Sequence, residues 1–185
     1  MKSIMYQKIE SSTAHVKSRV MVSNYAMKQE DHLRELISIA FDIHHGLHVK
    51  AFWSLDLVGE KKLKLLAPYL DAFCDVLPRI QNDSALRPAT RIALFLAKSN
   101  HRKNGLKLSI EHEHILIEAL IDRLIQDEKV ASKAYSMKAL FYLGKKYLWI
   151  YEELKPILSQ DYSNHTSGYQ AAARTILKKI NKTKT

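Results

Sequence analysis

A single cysteine, Cys74, in a chain of 185 residues excludes an internal disulfide framework. Five glycines and four prolines are few for this length, and no stretch alternates apolar and polar residues as a half-buried strand does. A sheet protein with many tight turns is therefore excluded in favour of a helical one. No leading apolar segment resembles a secretory signal, and no run is long enough to span a bilayer, which predicts a cytoplasmic protein without membrane partners. Conventional catalytic signatures are missing too: there is no G-x-x-x-x-G-K-[ST] loop, no G-x-G-x-x-G and no G-x-S-x-G elbow. Cys74 itself stands in "LDAFCDVL", where a buried, inert thiol is expected rather than a nucleophile. Acidic charge is the other scarcity, with 19 Asp and Glu against 29 Lys and Arg and a formal net charge of +10. That balance suits an acidic partner, although net charge also serves solubility.

What is present is ordinary globular composition, 46% hydrophobic and 26% charged, enough for one domain spanning 1–181 with a short flexible tail at 182–185. Apolar residues recur at helical spacing between short polar turns. The pattern predicts helices over 14–27, 30–43, 47–59, 62–79, 84–100, 110–126, 130–146, 149–160 and 166–180, with a weaker one before residue 10. In the segment 110–126, with Ser109 as N-cap, Ile110, His114, Ile117, Leu120, Ile121, Leu124 and Ile125 fall near one face.

The turns repeat. A polar residue is followed three positions later by a mostly apolar one, seven later by a small one, and six beyond that by leucine. His44, Leu47, Ala51 and Leu57 make one copy. Asp83, Leu86, Thr90 and Leu96 make another, followed by Asp127, Val130, Ala134 and Leu140, then Asn164, Ser167, Ala171 and Leu177. The small residues lie 39, 44 and 37 apart, and Ala14 stands 37 before Ala51. A period near 40 with two helices per unit is the mark of a helical array whose units bury their apolar faces only by stacking.

On these residues the chain resembles the HEAT-repeat pattern. "NDSALRPATRIALFL" at 82–96 carries the acidic turn residue, the basic residue and the small residues leading a second helix. "LKLLAPYL" at 63–70 is similar to the proline-containing first helix of such repeats. Through "DSALRPATRI" at 83–92, "DEKVASKAYSMKALFYLG" at 127–144 and "NHTSGYQAAARTILKKI" at 164–180, the chain also resembles a family of short helical bacterial proteins often labelled adenylosuccinate lyase. The lyases proper are more than twice as long and carry a serine-rich loop, S-S-x-M-P-x-K-x-N, that supplies their catalytic serine. No such stretch occurs here, and lyase activity is not expected. The resemblance implies an all-α fold, a right-handed α-α superhelix of the HEAT or armadillo kind with about four to five helix pairs. It also implies a binding module, with no enzyme activity and no cofactor expected.

In a HEAT array the first helix of each pair tends to the convex outside and the second lines the concave inside. The expected second helices carry thirteen Lys or Arg against one acid, Asp56, whereas the expected first helices carry seven against fourteen Asp or Glu. The resemblance thus implies a basic concave face, with Lys50, Trp53, Arg87, Arg91, Lys133, Lys138 and Arg174 as its candidate binding residues. Such a face would take an acidic protein segment, or alternatively a nucleic acid. The competing reading is structural: bases such as Lys145, Lys146, Lys178 and Lys179 complement helix dipoles at C-termini.

Asp56 is the exception in that basic register, three residues after Trp53 in "KAFWSLDLVG". An acid among apolar positions is costly unless it is paired. One reading pairs Asp56 with Arg87 or Arg91 of the next second helix and leaves Trp53 to packing. The other follows a resemblance to the HEAT-like DNA alkylation repair glycosylases, whose tryptophans and aspartate engage damaged DNA; it implies that role for Trp53 and Asp56.

Metal spacing is incomplete. Glu111 with His114 forms one E-x-x-H, and His114, Glu118 and Asp122 follow at successive turns, but a di-iron bundle needs a second such motif. Glu111 and Glu113 are explained as first-turn acids favourable to the helix dipole. His44, His45 and His48 gather at a turn without a supporting carboxylate or thiol. No metal is expected. Tyr135, Phe141, Tyr142, Tyr147, Trp149 and Tyr151 concentrate in the C-terminal half, where most are expected in the core and a few as recognition anchors.

Overall fold

A computed structural model describes residues 2–126, 129–160 and 162–183. The repeat position at Asp127 and the tail positions Lys184 and Thr185 lie outside the described residues. The fold is all-α, with no strand among the described residues. In chain order the α-helices are α1 (Ile4–Glu10), α2 (Val16–Ala26), α3 (Glu30–Phe41), α4 (His48–Lys62) and α5 (Leu70–Val76), then α6 (Asp83–Asn100), α7 (Ile110–Ile125), α8 (Val130–Leu143), α9 (Trp149–Ser159) and α10 (Ser167–Thr183).

The stretch expected as one helix over 62–79 is broken into three. A 3-10 segment covers Leu63–Tyr69, α5 follows, and a second 3-10 turn covers Leu77–Arg79. Pro68 and Pro78 stand inside the two 3-10 pieces. Neither can donate a backbone bond, so the regular i to i−4 ladder does not run through the segment. At α6 the start is fixed by Asn82, whose Oδ1 accepts from the Ser84 N–H at 2.9 Å. Pro88 stands inside the helix, five residues after its start at Asp83.

The chain divides into two compact units, Met1–Ile92 and Ala93–Thr185, with the division inside α6. In the first unit α4 packs against α1, α2, α3 and the first 3-10 segment. It does so because Ala51, Phe52, Leu55 and Val58 form one apolar stripe, all fully buried. Burying Phe52 alone stabilises the unit by about 2–3 kcal/mol. Its ring lies 5.9 Å from Phe41 and edge-on to His48 at 5.1 Å. His48 is buried as well, and its Nδ1 lies 2.5 Å from the Ala40 carbonyl. A carbonyl only accepts, so Nδ1 carries the proton.

In the second unit α8 holds the corresponding place, packed against α7, α9 and α10. Gly144 ends α8 against the ring of Tyr151, where a β-carbon would stand 2.2 Å from the nearest ring atom. Tyr151 is buried and donates its hydroxyl to the Phe141 carbonyl at 3.0 Å. On α7 the Ser109 cap is present, with Oγ accepting from the His112 N–H at 3.1 Å. The buried face of α7 differs from the expected one. Glu113, Leu116, Ile117, Ala119, Leu120, Arg123 and Leu124 are buried, while Ile110 and Ile125 are exposed. The helix has apolar residues on two overlapping stripes, and the leucine-rich one is packed. That choice brings Glu113 inside.

Candidate functional site

The sequence-derived binding residues fall in both units. Lys50, Trp53, Arg87 and Arg91 belong to the first unit; Lys133, Lys138 and Arg174 belong to the second. Several are committed to the fold. Lys50 Nζ donates at 2.6 Å to the carbonyl of Glu10, the last residue of α1, where a cation complements the helix end. Lys133 is buried in α8, a correction to its expected place on an open binding face. Its position on α8 belongs to the stripe packed against the neighbouring helices. Arg87 and Arg174 are exposed, and Lys138 is partly so, with its ammonium 5.9 Å from the Tyr135 ring. Arg174 lines a cavity of about 620 Å³ with Tyr162, Leu177 and Lys178.

Asp56 and Arg91 meet. Arg91 Nη1 donates to Asp56 Oδ2 at 2.8 Å, and Nη2 donates to Glu60 one turn along α4. Of the two arginines the sequence offers to Asp56, Arg91 is the one that reaches it. The Asp56 side chain is only 7% exposed, and its Oδ1 has no hydrogen-bond partner among the described residues. Burial pushes its carboxyl up to about 6, against the opposing pull of Arg91 and, more weakly, of Arg19. Trp53 is half-buried, and its indole Nε1 donates to the Ser84 carbonyl at 3.0 Å. These contacts tie α4 to the first turns of α6.

The second unit holds a polar site that the sequence reading missed. Glu113, one of the two acids read as dipole partners, has a side chain only 2% exposed. Its Oε1 accepts from Asn100 Nδ2 at 2.6 Å, and its Oε2 accepts from Lys146 Nζ and the Tyr147 hydroxyl, both at 2.5 Å. Burial is the largest influence on this carboxyl and pushes it up. The bonds from Lys146, Tyr147 and Asn100 together outweigh it and hold the group below its ordinary value.

Glu113 lies at a cavity of about 360 Å³ lined also by Asn100, His101, Lys107, Tyr142 and Lys146. Lys107 Nζ donates to the carbonyls of Asn100 and Arg102, at 2.8 and 2.6 Å. Asn100 Oδ1 accepts from the Leu108 N–H at 3.0 Å. Lys145 Nζ lies 3.2 Å from His101 Nε2. Desolvation, together with Lys145 and Lys107, lowers the His101 imidazole below its ordinary value. The local signal was weak: "IEHEH" offers two glutamates, and only the packed stripe of α7 distinguishes them.

Charge segregates by helix. In α2, α4, α6, α8 and α10 fourteen Lys or Arg face three acids, and two of those acids, Asp56 and Glu60, are bonded to Arg91. In α3, α5, α7 and α9 three Lys or Arg face eleven acids. Apolar side chains are exposed beside some of the bases. In "KKYLW", 145–149, Leu148 is 64% and Trp149 50% exposed next to the exposed Lys145 and Lys146.

Among the described residues no group of three His, Cys, Asp or Glu is placed to hold a metal ion, and no helix is long and apolar enough to cross a membrane. No family model, no curated protein and no solved structure matches the chain.

Proposed function

We propose that the chain is a non-enzymatic, cytoplasmic binding module whose helix pairs stack as a HEAT-like superhelix and whose basic helices recognise an acidic protein segment. The segregation of charge between alternate helices carries this reading. Fourteen bases stand on one set of helices, and two of the three acids among them are taken up by Arg91. Exposed cations of one sign raise the local concentration of an anionic partner and orient its approach.

Exposed Leu148 and Trp149 beside Lys145 and Lys146 favour a peptide over a nucleic acid as that partner. An apolar anchor rimmed by cations fits an acidic segment that carries its own apolar side chain. A duplex reader, by contrast, needs bases free to follow phosphates, and Lys50, Arg91 and Lys133 are engaged or buried.

Binding of a glutamate-rich peptide containing one leucine, and of a duplex DNA, should be measured against salt. The expected result is peptide binding that weakens with salt and falls about tenfold in Trp149→Ala, consistent with loss of an aromatic anchor. Tighter binding to duplex, with a steep salt slope that Arg87→Gln and Arg174→Gln reduce, overturns the peptide reading in favour of nucleic acid.

A further inference from the structure

We infer that the cavity at the α6–α7 loop is a binding site for a phosphate monoester. The inference goes beyond an acidic protein partner, and it shares Lys145 and Lys146 with the face proposed for that partner. It comes from a count of donors and acceptors at the cavity.

Every acceptor of the cluster already holds at least one donor. Glu113 takes three donors, Asn100 Oδ1 takes the Leu108 N–H, and the Asn100 carbonyl takes Lys107. The donors are not used up. An ammonium group has three N–H bonds. Lys146 spends one on Glu113, and Lys107 spends two on the Asn100 and Arg102 carbonyls. Lys145 approaches His101 Nε2 at 3.2 Å, and an ammonium can only donate there. His101 Nε2 is then the acceptor, which leaves the Nδ1 N–H of a neutral ring available. A cavity whose unspent polar groups are mainly ammonium and imidazole N–H donors favours an anion.

Charge and size narrow the class. Lys107 and Lys146 line the cavity, and Lys145 stands beside that lining against His101; set against the single carboxylate of Glu113, the three ammonium groups leave two positive charges around His101. A phosphate monoester brings close to two negative charges and three acceptor oxygens, whereas a carboxylate brings one charge and leaves the second cation uncompensated. The cavity of about 360 Å³ also has room for the organic part of an ester, and Tyr142 in its wall offers an aromatic surface to that part.

The test follows the His101 ring signals of the full chain by NMR while inorganic phosphate, phenyl phosphate, a phosphoserine peptide, adenosine monophosphate and acetate are each titrated. Saturable shifts of His101 are expected with each phosphate compound, with acetate at least about tenfold weaker, because its single charge matches half of the excess. Bound phosphate should also raise the pKa of His101, since a dianion favours the imidazolium. Lys145→Glu, an exposed position that leaves the Glu113 bonds in place, should weaken binding about tenfold without changing the melting temperature. Tighter binding of the phosphoserine peptide would identify a modified protein as the source of the group, and tighter binding of the nucleotide a free metabolite; both support the site. Unmoved His101 signals, equal binding of acetate and phosphate, or unchanged binding by Lys145→Glu would overturn it. None of these outcomes depends on whether the glutamate-rich peptide binds.

Discussion

Trp53 donates its indole N–H to the carbonyl of Ser84, the carbonyl that Pro88 leaves free. In a regular α6 the residue at 88 would donate to residue 84, but proline has no N–H to give. The vacancy in the helix ladder and the tryptophan of the neighbouring helix therefore satisfy each other. Trp53→Phe should destabilise the first unit by about 1 kcal/mol, the net worth of one hydrogen bond. In a Pro88→Ala background the new N–H serves Ser84, so the same change should cost less. A urea denaturation cycle over the four proteins reads the coupling; equal costs in both backgrounds would separate the two features.

Asp56 links stability to pH. Its folded carboxyl, at about 6, lies above the ordinary 3.8, so the folded chain binds this proton more readily than the unfolded one. The contribution to stability is present at low pH and is withdrawn as pH rises from 3.8 through about 6. A shift of this size amounts to on the order of 3 kcal/mol across the window. Asp56→Asn should flatten that part of the stability profile. The check is the midpoint of urea unfolding at closely spaced pH values for both proteins.

Arg91 limits the same cost from the other side. Removing it by Arg91→Ala leaves Asp56 buried without its cation, a change that typically costs about 3–5 kcal/mol. The loss should be larger at neutral pH, where the carboxyl is ionised, than below its folded pKa. The double variant Asp56→Asn with Arg91→Ala should recover part of it, because no uncompensated buried charge remains. Thermal melts at two pH values distinguish this from a loss of packing, which would not depend on pH.

Glu113 behaves in the opposite sense. Its folded carboxyl lies below the ordinary 4.5, so its contribution is present above that value and is lost as pH falls through the lowered one. Glu113→Ala also removes the acceptor of Asn100 Nδ2 and of the Tyr147 hydroxyl, two partly buried donors whose lost bonds cost about 1 kcal/mol each. Tyr147→Phe removes one donor and leaves the others in place, so it should cost less. Acid unfolding followed by circular dichroism should show the wild-type midpoint moving in Glu113→Ala and less so in Tyr147→Phe.

The two carboxylates also mark how far a sequence reading reaches. Asp56 stood out because the equivalent positions in the three later copies of the repeat are Phe95, Ala139 and Ile176, and pairing consecutive second helices put Arg87 and Arg91 near it. Which arginine reaches it depends on helix rotation, and repeat spacing does not encode that. Glu113 had no such contrast: it sits two residues from Glu111, and its partners are 13, 33 and 34 positions away. The apolar stripe that would have separated them competed with a second one through Ile110, Ile121 and Ile125. Pro88 was legible as a helix residue, but the bond it frees belongs to another helix. Helix existence followed from local periodicity; the polar contacts followed from long-range packing, where one residue of rotation exchanges a buried acid for an exposed one.

Close packing at the end of α8 gives the last test. Gly144 has no room for a side chain, because a β-carbon would stand 2.2 Å from the Tyr151 ring. That ring cannot withdraw easily, being buried and held by its hydroxyl on Phe141. Gly144→Ala must therefore displace Tyr151 or part the end of α8 from α9, at about 1–3 kcal/mol for an overpacked core. Gly46 is the matched control, with nothing within 4 Å of its added β-carbon. Gly46→Ala should change stability little or raise it slightly by restricting the unfolded chain. If the two variants melt together, the ring at 151 yields more readily than its burial and hydrogen bond imply.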